Sequence, residues 1–165
     1  MTTFKVKGGI KLKGDLHPQG AKNEALQVLC AVLLTPEEVT IKNIPNISDV
    51  NILMDLLRDL NVNIQKIDKS TYSFRADKVD VDYLSSDAYK TKSSRIRGSI
   101  MIVGPLLARY GKGYIPRPGG DKIGRRRLDT HFIGFEKLGA NFTYDSKEEF
   151  YRVTANQLKG VDMHL

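Results

Sequence analysis

The chain has 165 residues, enough for one domain with a substantial core, since a domain of roughly 150 residues buries about two-thirds of its extended surface. Lysine and arginine outnumber aspartate and glutamate by 26 to 19, and the net charge of +7 favours anionic ligands. The longest apolar run, at 26–34 and interrupted by Gln27, is far shorter than the roughly 20 residues that cross a bilayer, and no secretory signal opens the chain. We therefore expect a cytoplasmic protein with no membrane partner. The single cysteine, Cys30, excludes a disulfide framework and a metal-ligand spacing.

In chain order, one pattern of apolar segments occurs twice, at an offset of about 75 residues. In the first pass, an apolar segment, a short strand, an amphipathic helix and a strand pair follow one another at 25–34, 39–41, 52–60 and 62–74. A polar bridge at 77–92 follows. In the second copy of the pattern, the same four segments lie at 100–107, 114–115, 128–138 and 142–153. This duplication predicts an α+β (mixed α/β) fold of two repeated βαβαββ units, each with a mixed sheet and helices on one face.

Ser48 and Asp49 mark the predicted start of the amphipathic helix in the first unit. A serine hydroxyl accepts a free amide hydrogen at a helix start, and a carboxylate suits the positive end of the helix dipole. We therefore expect Ser48 to be the N-cap residue and Asp49 to lie in the first turn.

Two short motifs, one in each unit, place cations where an apolar helical segment begins. The sequence GAKN at 20–23 opens the first segment, and backbone amides, a lysine and a carboxamide at one point favour an oxyanion. A glycine turn followed by a solvated lysine is the alternative interpretation. Arg95 and Arg97 stand at the equivalent place in the second unit. Because they are two residues apart, we expect them to point in different directions, one of them as surface charge.

The loop after the second predicted strand combines a glycine turn, an acidic residue and a run of arginines. Gly119 and Gly120 permit the backbone conformations of a loop that covers a substrate, and Asp121 follows as an exposed carboxylate. The guanidinium groups of Arg125–Arg127 match phosphate geometry, which predicts at least one bidentate phosphate ligand. A surface turn followed by solvated arginines is the alternative, and His131 is equally compatible with a half-buried structural histidine.

Arginine runs also occur in nucleic-acid-binding domains, which use them to bind phosphate groups. Recognition of single strands interleaves aromatic with basic residues, and the run at 125–127 contains no aromatic residue. We therefore expect no nucleic-acid partner.

Together these motifs resemble the enolpyruvyl transferase family, in particular its members that act on UDP-N-acetylglucosamine. The resemblance extends over essentially the whole chain. In order, it is carried by GAKN at 20–23, RGS at 97–99, VGPL at 103–106, the loop at 118–123 and the segment 126–131. The sister family that makes enolpyruvylshikimate phosphate shares the fold but has serine in place of Asn23, so it is the less favoured match.

The resemblance implies that the complete protein has two domains, each with three βαβαββ units in an inside-out α/β prism, and an active site in the cleft between them. Residues 1–16 are then a crossover strand that belongs to the second, absent domain. Residues 17–165 supply two units of the first domain, at about 17–90 and 91–165. The third unit is missing, which indicates an N-terminal fragment.

The implied reaction is transfer of the enolpyruvyl group of phosphoenolpyruvate to the 3-hydroxyl of UDP-N-acetylglucosamine. This is the first committed step of peptidoglycan synthesis, on which cell shape and cell division depend. It proceeds by addition and elimination through a phospholactyl tetrahedral adduct, and no metal or cofactor is implied. Both substrates carry several negative charges, which is the physical reason for basic side chains in the cleft.

The resemblance also assigns roles to individual residues. Lys22 resembles the residue that contacts phosphoenolpyruvate, and Asn23 resembles one that fixes the substrates. Arg97 resembles an arginine at the site of the UDP-sugar and the enolpyruvyl group. His131 is expected to support the segment that cradles the nucleotide sugar and the phosphate, and that segment comprises Arg126, Arg127, Leu128, Asp129 and Thr130.

Asp121 stands where most members of the family have cysteine, the residue implied to protonate the methylene carbon of the enol or to assist product release. A thiol with a pKa of about 8.5 is largely protonated at neutral pH, whereas a carboxyl with a pKa of about 3.9 is not. An acid role for Asp121 therefore requires a raised pKa on loop closure, against the opposing pull of nearby arginines. Fosfomycin alkylates the cysteine thiolate with its epoxide, so we expect the intact enzyme to be insensitive to it.

A third unit and a second domain are implied but not contained in the sequence, so we expect sheet edges and apolar faces to be uncovered. The isolated chain is therefore expected to be catalytically inactive and to self-associate. The alternative functions are a folded fragment without any catalytic role and a basic nucleic-acid-binding domain.

Overall fold

The structure is a computed structural model that describes residues 3–116, 127–146 and 150–164. The first unit begins with helix α1, which a 3-10 turn prolongs at Val32–Leu34. Its elements follow the predicted order: α1 at Lys22–Ala31, strand β1 at Glu38–Ile41, helix α2 at Ser48–Asp59, and strands β2 at Asn63–Lys66 and β3 at Tyr72–Arg75.

The bridge between the two units contains a helix that the sequence pattern did not predict. A 3-10 turn at Tyr83–Ser85 leads into helix α3 at Asp87–Ser93. The Ser86 hydroxyl caps α3 by accepting a hydrogen bond of 3.1 Å from the backbone N–H of Tyr89. Tyr89 itself is buried against the core. A polar helix of seven residues buries too few side chains to show a clear period in the sequence.

The second unit repeats the order of the first. A 3-10 helix at Arg97–Ile102 leads directly into its first α-helix. No helix in the described ranges is long and apolar enough to cross a membrane. The elements of the second unit are α4 at Val103–Tyr110, β4 at Lys112–Pro116, α5 at Asp129–Lys137, β5 at Asn141–Asp145 and β6 at Phe150–Thr154.

Within the described residues, each unit forms one three-stranded sheet, in the order β1-β3-β2 for the first and β4-β6-β5 for the second. Val39 and Ile64 both lie opposite Phe74 on the central strand β3, and Val153 takes the equivalent place on β6. The strand pairs of both sheets are antiparallel. The duplicated α+β architecture is therefore confirmed, but the prediction of mixed sheets is wrong. The last strand of each unit lies in the centre and runs opposite to both neighbours.

The leading strand of the predicted βαβαββ unit does not form in residues 3–21, which contain neither helix nor strand. Apolar side chains of this segment project into solvent, with Phe4 87%, Val6 88% and Leu12 91% exposed. An extended segment becomes a strand only when a neighbour takes up its backbone hydrogen bonds, and the described sheets do not pair with it. The assignment of residues 1–16 to a second domain, and the unit boundaries, stay predictions.

Two apolar clusters form the core of the described residues, and the larger one crosses from one unit into the other. It contains Leu53 and Leu57 of α2, which are fully buried, together with Ile102 and Leu106 of the second unit. The smaller cluster lies against the second sheet around Val153. The two units therefore pack as parts of one hydrophobic core.

Candidate active site

A cleft of about 530 Å³ lies where the two units meet. Three of its lining side chains are cationic and one is a carboxylate, so the described wall carries a net positive charge. The walls come from the starts of several helical segments in both units. The lining residues are Lys22, Asn23, Leu26, Gln27, Asp49, Arg95, Ile96, Arg97, Gly98, Ile100, Met101, Leu128 and His131.

Four helical segments begin at this cleft. They contribute Lys22 from α1, Asp49 from α2, Arg97 from the 3-10 helix and Leu128 from the residue that precedes α5. The N-cap residues of these four segments form no side-chain capping hydrogen bond. Backbone N–H groups in a first helical turn lack an intrahelical partner, and the helix dipole adds partial positive charge there. Both effects favour an anion in the cleft.

Gly20 brings the start of α1 to the cleft wall. A Cβ atom at this position would lie 2.0 Å from the carbonyl oxygen of Asn43. The close approach of the Gly20 backbone to Asn43 therefore requires glycine. It fixes the start of α1 two residues later, at Lys22. Lys22 and Asn23 thereby occupy the first turn of α1. Gln27 lines the same wall as Asn23 because residues four apart share a helix face.

Lys22 and Asp49 form an ion pair in the cleft, with 3.1 Å between Nζ and Oδ2. Their side chains are 52% and 41% exposed, so the pair lies on the solvent-facing wall. The sequence pattern predicted Asp49 at a helix start but gave no sign of its place in the cleft, since only the packing of α1 on α2 brings Lys22 and Asp49 together. The predicted Ser48 cap is wrong, because Ser48 is already helical and Ile47 occupies the N-cap position.

Arg95 and Arg97 both line the cleft, so the prediction that they point in different directions is wrong. The backbone at Ile96 is extended, with φ −127° and ψ 136°. Residues two apart in an extended segment point to the same side. Ile96, between them, is 3% exposed and belongs to the larger apolar cluster, although it also lines the cleft. An apolar residue between two arginines was the sequence signal for an extended segment here.

Arg97 links the second unit's 3-10 helix to the start of α5. Its Nη2 donates a hydrogen bond of 3.3 Å to the backbone carbonyl oxygen of Arg127. Arg127 in turn forms an ion pair with Asp129 in the first turn of α5. Leu128, between them, is buried. The Arg97 side chain therefore helps to hold the start of α5 beside the cleft.

The structure brings part of the predicted site together in this cleft. Lys22 and Asn23 come from the first unit, and Arg97, Leu128 and His131 come from the second. An anion site between two units requires side chains from both units in one cleft, and these residues meet that requirement. The roles assigned to these residues in substrate binding stay predictions.

Three other predicted residues, Arg127, Asp129 and Thr130, do not line this cleft. Arg127 and Asp129 pair with each other and do not line the cleft. Thr130 lines a neighbouring apolar groove of about 330 Å³ along α5. Asp121 and Arg126 lie outside the described residues.

A family model described as EPSP synthase (3-phosphoshikimate 1-carboxyvinyltransferase) matches residues 6–165. The chain belongs to the EPSP synthase family. The predicted resemblance to enolpyruvyl transferases is therefore confirmed at the level of the family.

Curated relatives of this family member carry the name UDP-N-acetylglucosamine 1-carboxyvinyltransferase. One from Bacteroides fragilis is 56% identical over 165 residues, one from Bacteroides thetaiotaomicron is 54% identical, and one from Porphyromonas gingivalis is 49% identical. Each match covers 100% of this chain and 38% of the relative. The chain thus spans 38% of the length of these relatives.

Solved structures of enolpyruvyl transferases share the fold of this family member. The enolpyruvyl transferase NikO from Streptomyces tendae superposes with a TM-score of 0.71 at 20% identity, over 92% of this chain and 32% of that one. An EPSP synthase from Acinetobacter baumannii gives 0.59 at 14% identity, over 91% and 34% of the two chains. The fold of the enolpyruvyl transferase type is thereby confirmed.

Proposed function

We propose that the protein containing this chain transfers the enolpyruvyl group of phosphoenolpyruvate to the 3-hydroxyl of UDP-N-acetylglucosamine. The observation that carries the proposal is the 49–56% identity, along all 165 residues, to relatives named for this sugar-nucleotide reaction. The product enters peptidoglycan synthesis and so contributes to cell shape and division.

The chemistry explains why a positive cleft suits this reaction. The 3-hydroxyl oxygen of the sugar bonds to C2 of phosphoenolpyruvate while a proton adds to C3, and the tetrahedral adduct then loses phosphate and one proton from the new methyl group. Phosphate, carboxylate and diphosphate charges persist throughout. Lys22, Arg97 and the backbone amides at the helix starts are proposed to bind these anionic groups, with Asn23 as a neutral hydrogen-bonding partner.

Asp121 is the proposed proton donor to C3 of phosphoenolpyruvate. A carboxylate is a much poorer nucleophile toward an epoxide than a thiolate, so the intact enzyme is expected to resist covalent inactivation by fosfomycin. The matched test is Asp121→Cys, which introduces a thiol and is expected to confer time-dependent inactivation. An adduct mapped to Asp121 of the unmodified sequence contradicts this part of the proposal.

The proposed partners are the two substrates alone, with no nucleic acid, membrane, metal or cofactor. We place the reaction in the cytoplasm because phosphoenolpyruvate and UDP-sugars are phosphorylated metabolites that do not cross membranes freely. The isolated chain spans 38% of its relatives and is proposed to be inactive. It is also proposed to self-associate through exposed apolar side chains such as Leu12 and Ile133.

The test is phosphate release in the presence of both substrates. Three proteins are compared: this chain, the Bacteroides fragilis relative, and a chimera in which this chain replaces the matching part of that relative. We expect release by the relative and the chimera but not by the chain alone. A chimera that folds, carries this chain's residues and releases no phosphate with UDP-N-acetylglucosamine contradicts the proposed function. Analytical ultracentrifugation of the chain alone tests self-association.

A further inference from the structure

We propose that Asp49 is a positioning residue that holds Lys22 in the ligand-free cleft and must release it when an anionic ligand binds. The carboxylate occupies the place at Lys22 that a phosphate or carboxylate group of a substrate would take. Asp49 thus lowers the affinity of the cleft for anions and makes binding an exchange of one anion for another. The inference deepens the proposed function, but its core depends only on anion binding.

The geometry of the pair supports an exchange. The Lys22 ammonium contacts Asp49 Oδ2 at 3.1 Å, and both side chains are about half exposed to the cleft. A solvent-exposed ion pair contributes little stability, so its opening is readily offset by a competing anion. The flexible lysine stem lets the ammonium move while both helices stay in place.

Asp49 is suited to remain where it is after Lys22 leaves. It lies in the first turn of α2, where the helix dipole favours a negative charge. Its side chain forms no other hydrogen bond or ion pair to the described residues. Release of Lys22 therefore leaves a carboxylate that is still stabilised by the helix and by solvent.

The carboxylate of Asp49 pairs with Lys22 in the cleft. Arg97 donates to the backbone carbonyl oxygen of Arg127. Arg95 is exposed, and its side chain forms no hydrogen bond or ion pair with the described residues. Among the described lining residues, Asp49 supplies the carboxylate of the cleft, and it neutralises Lys22 in particular. Replacing Asp49 with a neutral residue of the same shape should therefore strengthen anion binding through Lys22.

The experiment titrates the 165-residue chain with inorganic phosphate, and separately with phosphoenolpyruvate, by two-dimensional NMR. Asp49→Asn is expected to bind phosphate about three- to tenfold more tightly than the unmodified chain, as loss of one solvent-exposed like-charge contact predicts. The matched control is Asp55→Asn on the same helix, whose carboxylate pairs with Arg58 at 2.7 Å away from the cleft. It is expected to leave phosphate affinity unchanged.

A double-mutant cycle tests whether the effect acts through the lysine. In a Lys22→Met background, Asp49→Asn is expected to give less than half of its gain in affinity. Equal or weaker binding by Asp49→Asn, a full gain without Lys22, or no phosphate binding by any of the proteins overturns the proposal. Asp49→Ser, which keeps a residue favourable to a helix start, replaces Asp49→Asn if circular dichroism shows that the latter is unfolded. An inactive chimera with a positive phosphate result refutes the proposed function and leaves this inference standing.

Discussion

Gly20 shows how a single residue determines the geometry of the cleft. Because a Cβ atom would meet the Asn43 carbonyl oxygen at 2.0 Å, Gly20→Ala must displace the backbone in front of α1. We expect a loss of about 1–3 kcal/mol in the free energy of unfolding, together with weaker phosphate binding at Lys22. Urea denaturation and NMR titration measure the two effects.

Gly134→Ala is the control for this substitution, since a Cβ atom there has no neighbour within 4 Å. Gly134 lies inside α5, where alanine is favoured over glycine by about 1 kcal/mol, so a small gain in stability is expected. If Gly20→Ala is as stable as Gly134→Ala, the close approach at Asn43 is not a constraint.

Cys30 couples the stability of the chain to alkaline pH. Its side chain is 1% exposed, and burial raises the pKa of the thiol far above its ordinary value. Below that value the thiol is protonated in both the folded and the unfolded chain. Above it only the unfolded chain loses the proton, so the folded state is progressively disfavoured. The contribution of Cys30 is then lost at up to about 1.4 kcal/mol per pH unit.

The measurement is the free energy of urea unfolding between pH 7 and pH 10.5, in the unmodified chain and in Cys30→Ala. The variant is less stable at every pH because it lacks a core side chain, but its stability should decline less steeply above pH 9. Tyr89, whose pKa is also raised by burial, contributes to both curves at the upper end. Parallel curves for the two proteins contradict the prediction.

At the scale of elements, the two units differ in how far their second helix is buried. Helix α2 has five buried residues, whereas the equivalent helix α5 has none. The amphipathic pattern predicted both helices but not this difference, since burial depends on what packs against each helix. In the first unit, α2 packs against α1 and α3.

This difference predicts unequal effects of the same type of substitution. Leu57→Ala in α2 removes a side chain with 0% exposure and is expected to lower the free energy of unfolding by about 2–5 kcal/mol. Ile133→Ala in α5 removes one that is 44% exposed and should change it by less than about 1 kcal/mol. Denaturant unfolding of both variants tests the prediction, and similar losses would show that α5 is buried in solution.

At the scale of the whole molecule, Arg109 connects the second unit to the first. From α4 it donates hydrogen bonds to the carbonyl oxygens of Leu33 at 3.1 Å and Ala76 at 2.7 Å. Both acceptors belong to the first unit and flank its sheet. This contact reinforces the apolar core that the units share.

Arg109→Ala is therefore expected to destabilise the chain by about 1–3 kcal/mol, because two partly buried carbonyl groups lose a charged donor. The control is Arg58→Ala, which breaks an exposed pair with Asp55 within α2 and should cost at most about 0.5 kcal/mol. Urea unfolding followed by far-ultraviolet circular dichroism gives both values. Equal stabilities of the two variants contradict a linking role for Arg109.

The sequence predicted those features that depend on neighbours along the chain. The duplicated order of helices and strands follows from the spacing of apolar residues. A spacing that matches the period of a helix or a strand puts these residues on one face, which can then be buried. Lys22 and Asn23 were also predicted as site residues on local grounds and by family resemblance, and Arg97 by family resemblance. The direction of Arg95 was missed because it depends on whether the local backbone is extended or helical.

Tertiary structure alone decided which distant side chains meet. Strand order and the antiparallel pairing of both sheets depend on which strand lies in the centre, and strand patterns carry no such information. The contact between Lys22 and Asp49 joins two helix starts 27 residues apart. Such a contact arises from packing of whole elements, so it appears only once the first helix lies against the second. The sequence shows the excess of positive charge, but it does not show that Asp49 neutralises part of this charge inside the cleft.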